Sequence, residues 1–115
     1  MHNTYFLKTN YDFRRLYQRG KSAVNSYLAI YFRNGREKAN RLGITVSTKV
    51  GKAVVRNRVR RRIKEAYRIH EHEFKVPLDL VIVSRVRCAD ASFQQIEQAL
   101  LQLAGKLGLL KGAEK

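Results

Sequence analysis

Acid–base or metal chemistry in this chain would have to be assembled from three histidines, nine acids and one cysteine, and their spacing does not support it. His2 stands near the N-terminus, whereas His70 and His72 are two apart, which keeps them off a common helix face. Neither has a carboxylate or histidine partner placed by spacing to make it a general acid or base. The acids are scattered, with no Asp-x-Asp pair and no His-x-Glu followed by a cysteine pair, so the sequence predicts no catalytic residues and no metal ligands. Cys88 reads as an ordinary small side chain after a strand. A lone cysteine cannot form an internal disulfide, which fits a reducing cytosol and a cytoplasmic location.

The chemistry that the spacing does support is the binding of a polyanion. Residues 49–68 hold nine Lys or Arg and a single acid, Glu65. From Ala53 the stretch is free of Gly and Pro, and Val55, Val59, Ile63, Ala66 and Tyr67 recur at helical spacing, which predicts one helix beginning after Gly51. Asn57, Arg61, Lys64 and Arg68 fall opposite this apolar stripe. Arg56 and Arg60 flank one edge of it, Arg58 and Arg62 the other. Like charges four apart each cost about 0.2–0.5 kcal/mol in an isolated helix. Solvated faces normally mix charge signs, and this one does not, so a polyanion is the expected neutraliser. Lys49 and Lys52, beside the helix N-terminus, would favour phosphate. The GxxxxGK[ST] spacing is absent, and nucleotide hydrolysis has no support.

A second constellation is aromatic. Residues 22–32 alternate, with Leu28, Ile30 and Phe32 on one face and Tyr27, Ala29 and Tyr31 on the other, and a break at Asn25-Ser26. Residues 41–47 alternate in the same way, Leu42, Ile44 and Val46 opposing Gly43, Thr45 and Ser47. Tyrosines beside small residues suggest a shallow groove, which a preceding helix could wall with Phe13 and Tyr17. Aromatic faces near Arg14, Arg15, Arg41 and Lys49 suit an extended single strand, because stacking contributes about 1–3 kcal/mol per base. The same Phe13 and Tyr17 would equally serve to anchor that helix on the sheet, and spacing alone does not choose.

Several elements must position these groups. Residues 1–9 read as an arm, and Asn10 as the cap of a short helix over 11–19, with Asp12 in its first turn and Gly20 past its end. The two alternating segments are expected to form an antiparallel hairpin across the loop carrying Asn34-Gly35. After the basic helix, 70–76 is a polar exit that Pro77 closes. Residues 78–84, with the run LVIV, read as a central strand buried on both faces. Ser92 and Gln95 make a capping box for a last helix with the stripe Phe93, Ile96, Leu100, Leu103 and Leu107, and 109–115 reads as a frayed tail. The order is αββαβα, or αβββαβα with residues 22–25 as their own strand. Either is an α+β sandwich with one mainly antiparallel sheet and a βαβ unit.

The chain has 115 residues and a net charge of +15, which means one domain, 1–115, and electrostatically driven binding to nucleic acid. No apolar run approaches the roughly 20 residues that span a bilayer. MHNTYFLKTN also lacks the apolar core of a signal peptide.

Arg56-Asn57-Arg58 within VGKAVVRNRVRRRIKEAYR, preceded by RLGITVSTKV and followed by DLVIVSR, resembles the RNR signature of the bacterial ribonuclease P protein component family. NYDFRRLYQRGKS resembles that family's first helix and its exit, and SFQQIEQALLQL its last helix. The resemblance implies an accessory subunit of the ribonucleoprotein that removes the 5′ leader from precursor tRNA, with the catalytic centre in the RNA. It implies a ribosomal protein S5 domain 2-like fold with a left-handed βαβ crossover, against a rule that is right-handed in about 98% of cases. Lys49, Lys52, Arg56, Asn57, Arg58, Arg60, Arg61, Arg62, Lys64 and Arg68 would bind the catalytic RNA. Phe13, Tyr17, Tyr31, Thr45 and Ser47 would line the leader groove, the three aromatics matching aromatic positions there. Mg2+ would be held mainly by RNA. The implied partners are ribonuclease P RNA and precursor tRNA, without a membrane or a further protein. A ribosomal or other structural RNA-binding protein is the alternative reading, since it would share the size, charge and βαβ core.

Overall fold

The most apolar strand takes the middle of the sheet. In the computed structural model, which describes residues 4–112, the elements in chain order are β1 (Thr4–Phe6), α1 (Asn10–Arg19), β2 (Lys21–Val24), β3 (Leu28–Asn34), β4 (Asn40–Val46), α2 (Ala53–His70), β5 (Leu78–Ser84) and α3 (Phe93–Lys106). The sheet order is β1-β4-β5-β3-β2. Every residue of β5 except Val83 is buried, and the strand pairs parallel with β4 and antiparallel with β3. The expected hairpin between β3 and β4 therefore does not form. A strand apolar on both faces gains more from two neighbours than either flanking strand gains from the other, and it inserts between them.

The hairpin lies one step earlier. β2 pairs antiparallel with β3, from Lys21 opposite Phe32 to Val24 opposite Ala29. The break at Asn25-Ser26 is its turn: the Asn25 side-chain carbonyl accepts the N–H groups of Tyr27 at 3.0 Å and Leu28 at 2.9 Å. The predicted arm is also more than an arm. Thr4–Phe6 pairs parallel with Asn40, Arg41 and Leu42, so the sheet is evenly mixed, two parallel and two antiparallel pairings, rather than mainly antiparallel. Residues 1–3 of that arm, including His2, lie outside the described residues.

Helices α2 and α3 cover one sheet face. Val59, Ile63 and Tyr67 from α2, with Ile96, Leu100 and Leu103 from α3, pack on Leu28, Ile30, Leu42, Leu80 and Ile82 in one buried cluster. Each such side chain contributes about 1.5–3 kcal/mol. Helix α1 lies on the other face, where Leu16 and Leu7 meet Val81 in a smaller core. Its N-cap is Thr9 and not Asn10. The Thr9 hydroxyl oxygen accepts the Asp12 N–H at 3.2 Å and the hydroxyl donates to the Asp12 carboxylate at 2.9 Å, a reciprocal arrangement that Asn10 would have left one residue out of step. The Ser92–Gln95 capping box of α3 is present as expected.

The predicted frayed tail is docked as far as it is described. Gly108 takes φ 72°, and the chain turns back so that Leu109 is buried and accepts the Lys75 N–H at 2.8 Å, while the Lys111 N–H donates to Glu73 at 2.6 Å. Leu110 bridges to Phe74, and apolar residues at 109 and 110 were the signal that the two preceding glycines obscured. Residues 113–115 lie outside the described residues.

Candidate nucleic-acid interface

The arginines of α2 divide into two groups by where their guanidinium groups go. Arg56, Arg58 and Arg62 are half-buried and donate to main-chain carbonyls: Arg56 to Gly51 at 3.2 Å, Arg58 to Ala89 at 3.2 Å and Arg62 to Ala91 at 2.6 Å. Arg58 and Arg62 fasten the turn at Val86–Asp90, and the residue before the α3 cap, onto the basic helix, while Arg56 holds the turn that leads into it. Asn57, Arg60, Arg61 and Lys64 are exposed and share a shallow concavity floored by Val54. Among the described residues no carboxylate pairs with Arg60, Arg61 or Lys64. Arg68 differs, since it grips Glu65 through two bonds of 2.6 and 2.8 Å. Lys49, Lys52 and Ser47 are exposed around the turn that leads into the helix. Charge repulsion along α2 is thus relieved at three arginines by carbonyl dipoles and at Arg68 by Glu65, and left uncompensated at Arg60, Arg61 and Lys64.

On the opposite side of the sheet, α1 lies across β3, β5 and β4. The Phe13 ring rests on Gly43, where an added Cβ would meet ring carbons at 2.5 and 2.6 Å. Tyr17 reaches Thr45, hydroxyl to hydroxyl at 3.1 Å, and sets its ring edge-on to Tyr31 with centroids 4.9 Å apart. The structure thus gathers Phe13, Tyr17, Tyr31 and Thr45. It corrects their expected arrangement, because β5 separates Tyr31 from Thr45. Register places Val81 between Tyr31 and Gly43, and Val83 between Ala29 and Thr45. Phe13 both anchors α1 and walls the groove, whereas Tyr17, 39% exposed, forms its rim. Half-buried Val83 and exposed Val24 extend the apolar floor toward β2. Sequence reading missed both, although alternation along β5 puts Val81 and Val83 on one face. Gly43→Ala is expected to lift Phe13 and destabilise the protein by about 1–3 kcal/mol, read as a lower melting temperature.

A buried ion network fixes where α1 lands. Asp79, fully buried on β5, accepts from Arg41 at 3.0 and 2.8 Å and from Arg33 at 3.2 Å, and Arg41 also lies 3.6 Å from Asp12 in the first turn of α1. Burial by itself would push the Asp79 carboxyl up, but the hydrogen bonds and charge of Arg41 and Arg33 outweigh it and hold the group below the ordinary aspartate value. Arg41, a candidate for the groove on sequence grounds, is committed here instead.

The acid–base inventory needs one correction. His70 is not a free surface histidine: one ring nitrogen meets Glu73 and the other meets Glu97 of α3 at 2.8 Å. The bond to Glu73 chiefly, then Glu97, raises its pKa against the opposing effect of burial. The spacing of His70 and Glu73 was visible in the sequence, but the Glu97 contact depends on the α2–α3 packing. With both nitrogens taken, the ring has none left for a substrate. Its raised pKa means that the clasp contributes fully below the ordinary histidine value and is lost as pH rises through the folded value. His70→Ala should therefore lower the melting temperature at about pH 6, by an amount worth on the order of 1 kcal/mol, and less at about pH 9.

Residues 1–108 match the sequence model of the family described as Ribonuclease P. The chain belongs to the ribonuclease P protein family. It is 46% identical over 104 residues to the ribonuclease P protein component of Alkaliphilus metalliredigens, covering 90% of this chain and 94% of that one. To the component from Clostridioides difficile it is 47% identical over 98 residues, 84% of this chain and 86% of the other. The solved RNase P protein of Staphylococcus aureus superposes with a TM-score of 0.86 at 31% identity, covering 93% and 98% of the two chains. The Thermotoga maritima protein gives 0.78 at 30% identity, covering 84% and 94%. As a ribonuclease P protein the chain is an RNA-binding component in tRNA 5′ processing, and the ribosomal-protein alternative falls away.

Proposed function

We propose that the two surfaces bind two different RNAs of the ribonuclease P holoenzyme. The outer face of α2, centred on Asn57, Arg60, Arg61 and Lys64 with Lys49, Lys52 and Arg68 around it, holds the ribonuclease P RNA. Arg56, Arg58 and Arg62 shape that face and present their remaining donors at its edges. The groove of Phe13, Tyr17, Tyr31 and Thr45, with Ser47 at its mouth, receives the single-stranded 5′ leader of precursor tRNA. The observation that carries this reading is the separation of a cationic face, whose Arg60, Arg61 and Lys64 pair with no carboxylate among the described residues, from an aromatic-rimmed floor on the other side of the sheet. The first neutralises phosphates and releases counterions, and the second stacks unpaired bases.

The chemical step is assigned to the RNA. Mg2+ takes carboxylate, water and phosphate oxygens, and among the described residues no three His, Cys, Asp or Glu side chains converge to offer it a site. The proposal therefore leaves that ion to the RNA. The chain works in the cytoplasm with its RNA and needs no further protein. Affinity capture of the protein followed by sequencing of the bound RNA tests this: one long ribonuclease P RNA should dominate, and recovery of ribosomal RNA in its place would contradict it.

A further inference from the structure

Strand β1 stops at Phe6, and its last backbone bond to β4 runs from the Leu7 N–H to Leu42 at 2.9 Å. Among the described residues, no strand lies beside the outer edge of β4 from Gly43 onward. A pocket of about 230 Å³ opens over this edge, walled by Phe6 and Phe13, floored by Gly43 and Ile44, and rimmed by Arg60 and Lys64. That is smaller than the roughly 300 Å³ at which pockets for drug-sized ligands begin, so it takes one flat ring system and not a long ligand. Phe6 is 41% exposed, and the Lys64 ammonium lies 5.1 Å from its ring centroid. The wall is rigid, because β1 is pinned from below: the buried Tyr67 hydroxyl meets Thr4 at 2.8 Å and accepts from Asn40 at 3.2 Å. An exposed aromatic ring held in place, an apolar floor and two cations with no carboxylate partner among the described residues together match a nucleobase with its phosphate.

We propose that this pocket captures one unpaired nucleotide of the ribonuclease P RNA, with its base against Phe6 and its phosphate on Arg60 and Lys64. The source follows from geometry. Arg60 and Lys64 also line the concavity on the outer face of α2, so an RNA seated there already places its backbone at the pocket mouth. The inference rests on the assignment of that face to the ribonuclease P RNA.

The test uses the full chain with its cognate ribonuclease P RNA. Phe6→Leu keeps an apolar side chain in β1 and removes the ring, and its melting temperature verifies that the strand still pairs. It should bind the RNA about fivefold or more weakly, and base-specific probing should show one unpaired nucleotide losing its protection. The chain has no tryptophan, so Phe6→Trp supplies a single fluorophore whose emission the RNA should quench. Arg61→Ala, on the α2 face but outside the pocket, is the control. Unchanged affinity and probing for Phe6→Leu, with Arg61→Ala still weakened, overturns the pocket and leaves the face assignment standing. A Phe6→Leu defect seen only with leader-bearing precursor tRNA overturns it in favour of the leader. No effect of Arg61→Ala either would mean that the RNA is not on this face, and the pocket falls with it.

Discussion

Changing Arg61 and Lys64 together to Ala should weaken assembly with the ribonuclease P RNA and reduce the log–log salt slope by about 1.4 to 1.8, since each lost phosphate contact removes about 0.7–0.9. These two are chosen because they are exposed and no carboxylate among the described residues pairs with them, so the protein loses little of its own structure. Arg58 and Arg62 should behave differently. Their donors hold Ala89 and Ala91, and replacing them should lower the melting temperature before it alters the salt slope. A slope unchanged by the Arg61/Lys64 double replacement, measured by titration at several salt concentrations, would remove α2 from the interface.

The second large effect concerns the groove. Phe13→Ala should weaken binding of a leader-bearing precursor by about 1–3 kcal/mol while hardly changing binding of mature tRNA, which has no leader to stack. Because Phe13 also fills the space above Gly43, the variant must melt close to wild type for the result to bear on binding. Tyr17→Ala avoids that difficulty, as its ring sits at the rim, and it should show the same selectivity for the precursor. Equal losses toward precursor and mature tRNA in folded variants would make the groove packing only.

The basic helix was legible because its signal is local: periodicity marks the stripe, and the charges repeat within it. β5 was legible as a central strand for the same reason, its run of LVIV being apolar on both faces. Pairing was not local. Nothing in residues 28–34 or 40–46 says that a strand more than thirty residues later will separate them, since the decision lies in the burial that β5 gains between them. Phe13, Tyr17, Tyr31 and Thr45 thus come together as alternation implied, while β5 supplies between the two strands a floor that alternation could not place. Which arginines of α2 are free was equally invisible, because Ala89 and Ala91 reach Arg58 and Arg62 only after α3 packs. His70 shows the same limit, with one carboxylate partner near in sequence and the other supplied by tertiary contact.

The division of labour between the two surfaces is tested most directly by photocrosslinking in the assembled holoenzyme bound to precursor tRNA. A photoreactive residue is placed at position 17 in one preparation and at position 61 in another. Position 17 should crosslink to the 5′ leader, and position 61 to the ribonuclease P RNA. Crosslinks from both positions to the same RNA, or the reverse pairing, would contradict the account.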